Sequence, residues 1–309
     1  MKPTVVILLS DKRSGSTMFE NEMCIHPDIN HVVYTPHSYN ETHYWLMAAS
    51  LLKMPVQLFN GHQPPKSYGP RPIIRRYLSD CIRGNVPDFV IPESDEALVF
   101  GGWDALCNKF ARPVFFEKSP QHPHHWAALE LMMRWAQKGE FTVRFIGLVR
   151  NPMAVMYSAY KLFSTDPVER QFGWASCYRN ILAMREIVGR ESFHMVRYED
   201  LIAHPKQGFG EICDYLRLER CEAVGEKVHA LSLDKWRDDP YFSLQLDESV
   251  KRLAGYFGYR DEDVYNPSKQ GMPLAAKMRR WITDTLKLTE GKVYNRLVKI
   301  ILVSISRRK

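Results

Sequence analysis

Arg13-Ser14-Gly15-Ser16-Thr17-Met18 follows the apolar run from Val5 to Leu9 and opens a stretch that can be helical. A strand, a glycine-bearing turn and a helix, in that order, bring backbone N–H groups and the positive helix end against an anion. Gly15 lets the backbone approach a phosphate, Ser14, Ser16 and Thr17 add hydroxyl donors, and Arg13 adds charge. The stretch is not a Walker A loop: no glycine stands between Asp11 and Ser14, and Ser16 holds the place of the lysine. A second group lies in FIGLVRNPMAVMYSAY, where Arg150 ends an apolar run and Ser158 follows eight residues later, about two helical turns on. Arginine grips phosphate with paired charge-assisted bonds, and serine adds a hydroxyl. Two anion sites without a metal-binding acidic strand point to a nucleotide with separate 5′ and 3′ groups.

These residues need a frame that brings them to one end. Short apolar runs at 5–9, 31–34, 114–118, 143–149 and 193–198 alternate with helical stretches. That alternation predicts an α/β fold, a P-loop-like parallel β-sheet flanked by helices on both faces. Helices are expected from Ser16 toward His26-Pro27, from Asn151-Pro152 toward Phe163, and after His204-Pro205. Between residues 38 and 112 the pattern weakens. GHQPPKSYGPRP reads as a loop, and Tyr39, Tyr44, Trp45, Phe59, Tyr68, Tyr77, Phe89 and Trp103 scatter rings through the region. It is expected to be an insertion that either lines an acceptor site or builds a core of its own. At 309 residues the chain is expected to be a single domain, 1–309.

RSGSTMF resembles the 5′-phosphosulfate loop of the sulfotransferases that use 3′-phosphoadenosine 5′-phosphosulfate (PAPS), and VRNPMAVMYS resembles their 3′-phosphate element. Two further stretches lie in the matching order. FFEKSP resembles the strand whose lysine contacts the sulfuryl group, and VRYEDLIAHPKQGFGEICDYLRL resembles the segment whose tyrosine lies near the nucleotide. The resemblance spans residues 5 to 218. It implies transfer of a sulfuryl group from PAPS to an acceptor hydroxyl or amine on a small metabolite or carbohydrate, leaving 3′-phosphoadenosine 5′-phosphate (PAP). Arg13, Ser14, Gly15, Ser16, Thr17, Met18, Arg150, Ser158 and Tyr198 would bind the nucleotide, with Lys269 reaching a donor phosphate from a basic stretch. Arg13 and Lys118 would neutralise the leaving oxygen. Other readings are a P-loop-type nucleotide-dependent kinase and a PAP-binding protein without transferase activity.

The proton acceptor is where the chain departs from the family pattern. Pro120 stands where cytosolic members carry a histidine two residues after the lysine, and Tyr34 stands near the place of a glutamate found in others. His37, Glu41 and His43 are the nearest groups able to take a proton, with His122 further along the chain. His37 works at neutral pH without a shift, so it is the first candidate and Glu41 the second.

The HPHH run at 122–125 has no zinc-site spacing and reads as exposed loop, so no metal is expected. Six cysteines form no C-x-x-C pair, and no signal peptide or spanning segment is evident, so the expected location is the cytoplasm with reduced thiols. Of the net charge of +7, the stretch 269–309 carries eleven Lys or Arg against two acids, leaving the rest slightly acidic. This basic tail is read as helical; it is apolar and cationic enough for peripheral contact with an anionic membrane, or it packs on its own domain. It lacks the interleaved aromatics of a nucleic-acid binder.

Overall fold

Residues Thr4–Ser10 form β1, the central strand of the molecule, and its alternating side chains feed two separate cores. Val5, Ile7 and Leu9 enter one, Val6 and Leu8 the other, all fully buried. Each such side chain contributes roughly 1.5–3 kcal/mol on removal from water. The computed structural model describes residues 2–37, 40–56, 58–60, 63–66, 69–228 and 233–266.

After β1 come α1 (Ser16–Met23), β2 (Ile29–Asn30), α2 (Tyr44–Leu51), β3 (Leu58–Asn60), β4 (Gln63–Lys66), α3 (Arg71–Asn85) and α4 (Asp95–Phe110). The chain continues through β5 (Val114–Lys118), α5 (Trp126–Ala136), β6 (Thr142–Val149), α6 (Pro152–Phe163) and α7 (Pro167–Val188). It then forms β7 (Phe193–Arg197), α8 (Tyr198–Ala203), α9 (Pro205–Leu216), α10 (Lys235–Asp238), α11 (Glu248–Tyr256) and α12 (Asp261–Val264). Five strands make a parallel sheet in the order β2-β5-β1-β6-β7. One face is covered by α1, α8 and α9, the other by α2 to α7 and α11. β1 lies between β5 and β6, and the chain crosses from one side of it to the other, which makes the carboxyl end of β1 the switch point where open α/β sheets bind ligands.

The expected strands at 5–9, 114–118, 143–149 and 193–198 are present, and α6 runs from Pro152 to Phe163. Its start is set by Pro152 in the first turn and by the Asn151 side chain, which accepts the Met153 N–H. Three expectations need correction. The strand at 31–34 is not formed: β2 lies two residues earlier, and Val33 and Tyr34 are exposed. The buried Asn85 side chain takes the place of a neighbouring strand, accepting the Val33 and Tyr34 N–H groups and donating to the Tyr34 carbonyl. Secondly, the Pro-rich stretch expected as a loop contains β4, which pairs antiparallel with β3. Thirdly, of the scattered rings, Tyr44, Trp45 and Trp103 are fully buried and pack on one another at 4.9–5.7 Å between centroids. They build no core of their own but share the one that holds Val5, Ile7 and Leu9, with Trp135 and Phe115 beside them. Among the described residues no helix is long and apolar enough to cross a membrane. The basic tail and Lys269 lie outside the described residues, as do Tyr39 and Tyr68.

Candidate active site

At the end of β1 the backbone turns sharply. Arg13 has φ +71° and Gly15 φ +91°, and α1 starts with no side chain capping its first N–H groups. An uncapped first turn leaves those donors aimed at whatever occupies the loop. Gly15 is required twice over: its φ is left-handed, and a Cβ there would lie 2.2 Å from Cε2 of Tyr198. Tyr198, the first residue of α8, thus lays its ring directly on the loop.

Arg150 meets the same ring. Its guanidinium lies 4.4 Å from the Tyr198 centroid, and Nη1 donates to the Arg13 carbonyl at 3.1 Å. Arg13 Nε in turn donates to Ser158 Oγ at 3.0 Å. The elements around Arg150 are braced from below. The Trp174 indole donates to the Arg150 carbonyl at 3.1 Å, and Glu199 accepts the Asn151 N–H at 3.0 Å and the Tyr259 hydroxyl at 2.6 Å.

At the end of β5 the chemistry is different. Lys118, level with Leu8 of β1, is fully buried between Glu20 Oε2 of α1 at 3.2 Å and Glu41 Oε1 at 3.3 Å. Burial raises Glu20 to about 7 against the pull of Lys118. Burial also pushes Glu41 upward, but the His43 hydrogen bond and the charges of Lys118 and the histidines outweigh it, holding the carboxyl below its ordinary value. His43 Nε2 donates to Glu41 Oε2 at 3.0 Å; burial lowers its pKa, which keeps it neutral. His37 approaches the same oxygen at 3.9 Å and tilts against His43, with 4.1 Å between ring centroids.

The loop that carries Glu41 is stitched to the end of β5. Thr42 Oγ1 donates to buried Glu117 at 2.7 Å, Ser119 Oγ donates to the same oxygen at 2.6 Å, and Ser119 Oγ accepts the His43 N–H at 3.0 Å. These bonds fix Glu41 beside Lys118.

A model of the sulfotransferase family matches residues 3–222, more than two thirds of the chain. This protein belongs to the sulfotransferase family. No curated protein matches it. Among solved structures, the sulfotransferase domain of the Synechococcus PCC 7002 olefin synthase is 20% identical with a TM-score of 0.55, and the match covers 83% of this chain and 95% of that one. The sulfotransferase domain from the curacin biosynthetic pathway is 19% identical with a TM-score of 0.51, covering 84% and 98%. At these identities the likeness shows a shared fold, the P-loop-like α/β fold of sulfotransferases.

Within this sulfotransferase-family chain, Arg13, Gly15, Arg150, Ser158 and Tyr198 come together as one group, and Lys118, Glu41 and His37 as another. Ser16 is buried at the loop, Thr17 is exposed, and Met18 packs partly into the α1–α8–α9 core. Ser14 takes a different part from the one expected. It is fully buried, and its hydroxyl bonds to Tyr178 Oη at 3.0 Å, which itself donates to the Leu148 carbonyl. With its single proton committed there, Ser14 anchors the loop instead of offering a hydroxyl. The HPHH run is likewise not exposed: His122 and His125 are buried, and His124 donates to Asp11 at 2.8 Å. Asp11, completely buried, would be raised by burial, but Arg170 and His124 hold it down to about 2. Residues missed in the sequence are Glu20, Glu199 and the Thr42–Glu117–Ser119 clasp. A carboxylate at the fifth helical position after Gly15 carries no sequence signal, because its partner is supplied by β5. All six cysteines are free thiols.

Proposed function

We propose that this chain transfers the sulfuryl group of PAPS to an acceptor hydroxyl or amine on a small metabolite or carbohydrate and releases PAP. One observation carries the reading: two cation-bearing groups, Arg150 with Ser158 and Lys118, stand at the carboxyl ends of β6 and β5, the strands that flank β1, with Arg13 and the uncapped start of α1 between them. That arrangement fits a ligand with one phosphate at each end. In this reading Arg150 and Ser158 hold the 3′-phosphate, with Tyr198 fixing the guanidinium plane. The amides of Ser16, Thr17 and Met18 hold the 5′ end.

PAPS supplies an activated sulfuryl group whose bond to the 5′-phosphate oxygen breaks as the acceptor attacks sulfur. Arg13 and Lys118 neutralise the charge left on that oxygen, and no proton is needed from arginine, which keeps its own at working pH. Glu41 accepts the acceptor's proton. It stands beside Lys118 as an ionised, oriented carboxylate, whereas His37 is nearer the surface and touches it only at 3.9 Å; this reverses the order expected from sequence. His37 and His43 then serve to orient Glu41. The segment 38–112 contributes the acceptor wall, and the free thiols fit a reducing cytoplasm. The test is twofold. PAP should raise the thermal unfolding midpoint and ATP with Mg²⁺ should not. A panel of hydroxyl and amine acceptors with isotopically labelled PAPS should then yield a labelled product by mass spectrometry. Protection by ATP alone, or PAP binding with no transfer to any acceptor, overturns the reading.

A further inference from the structure

The Lys118 site holds more negative charge than a cation site for a polyanion should. With Glu20 and Glu41 both ionised, the buried trio carries a net charge of −1, and buried Glu117 lies within electrostatic reach of Glu20. A lysine clamped by two carboxylates in a dry site has little field left for an incoming anion. We propose that Glu20 is a positioning residue that holds Lys118 in the empty protein and releases it by taking up one proton when the 5′ end of the donor binds.

The geometry favours Glu20 over its neighbour for that part. Glu41 has other partners in His43 and His37, which keep it ionised once Lys118 turns away. For Glu20 the ion-pair partner described is Lys118 alone. The titratable and charged groups facing it are Lys118 and Glu117 from β5, Glu41 from the loop before α2, and Cys24 from α1, whose thiol burial pushes up to about 12 and keeps neutral. Glu20 itself titrates at about 7, so the proton is available from solvent at little cost. Below that pH the free protein already carries the proton; above it, donor binding must draw one in. The device leaves one carboxylate to accept the substrate's proton and one protonated acid to stand aside.

The proposal rests on the donor reading above and is tested by isothermal titration of the full chain with PAP at pH 8 in buffers of different ionisation enthalpy. At that pH both phosphates of PAP are fully ionised and take up nothing by themselves. The wild type should bind PAP with uptake of about 0.9 proton at pH 8, and its affinity should fall up to tenfold per pH unit above 7 relative to Glu20→Gln. Glu20→Gln should bind PAP with less than about 0.2 proton taken up. Wild-type binding with uptake below about 0.3 proton overturns the proposal without any variant. Burial also raises Glu117 to about 7, so equal uptake in Glu20→Gln assigns the proton to Glu117 or to the His37–Glu41–His43 group and also overturns it. If the wild type does not bind PAP, the donor reading falls and this proposal falls with it.

Discussion

The two ends of the site hold their cations in opposite ways. At the Arg150 end a serine hydroxyl accepts from Arg13, and a backbone carbonyl and a tyrosine ring meet Arg150. At the Lys118 end two carboxylates meet one ammonium, out of water. Neutral partners orient a charge without cancelling it, so an anion can dock there by adding bonds. Carboxylate partners cancel the charge, so docking there means exchanging one anion for another. In the reading proposed above, the first arrangement serves grip and the second turnover, because groups that change partners during a reaction should not be held irreplaceably.

The sharpest way to break this contrast is Glu41→Gln. It should lower turnover by about 10²–10⁴ while leaving PAP affinity equal or higher, since a negative charge next to Lys118 is gone. A dead His37→Ala with an active Glu41→Gln would return the proton to His37. At the other end the expected loss is in affinity. Arg150→Ala should weaken PAP binding by about 1.5–3 kcal/mol, roughly tenfold to 150-fold, measured by calorimetry, with a smaller change in turnover at saturating donor. Gly15→Ala joins both ends through one atom. Left-handed strain and the collision with Tyr198 should cost about 1–3 kcal/mol of stability in denaturant unfolding and displace the ring from Arg150. Ser158→Ala should have the smallest effect. It removes one exposed hydrogen bond, which Ser158 accepts from the Arg13 guanidinium, about 0.5–1.5 kcal/mol, or twofold to tenfold in PAP affinity.

What was legible in the sequence is what is local in the chain. The β1–α1 and β6–α6 units are each written in one stretch, so the loop at 13–18, the Arg150–Ser158 spacing and the limits of α6 could be read from residue types. Lys118 is legible through the resemblance of FFEKSP to the lysine-bearing strand of the family. The transfer end was harder because it is assembled from three distant pieces. Glu20 looks like any polar position on a short helix until β5 supplies its partner. The place of Glu41 beside Lys118 depends on Thr42 reaching Glu117, a hydrogen bond between residues 75 apart. The misplaced strand at 31–34 has the same cause in reverse: β-forming side chains were present, but their backbone found an asparagine side chain instead of a neighbouring strand.

The clasp between Thr42, Glu117 and Ser119 also bears on how such a protein can diversify. It ties the loop bearing Glu41 to β5 at a point just before α2 begins, so nearly all of α2, α3 and α4 lies between two fixed anchors. Turns between those anchors can change in length while Glu41 and Lys118 keep their places and Tyr44, Trp45 and Trp103 keep packing against the sheet. Under the proposed function, a lineage built this way can explore new acceptors by rewriting the turns of one contiguous stretch of gene, with the residues assigned to the donor inherited on either side.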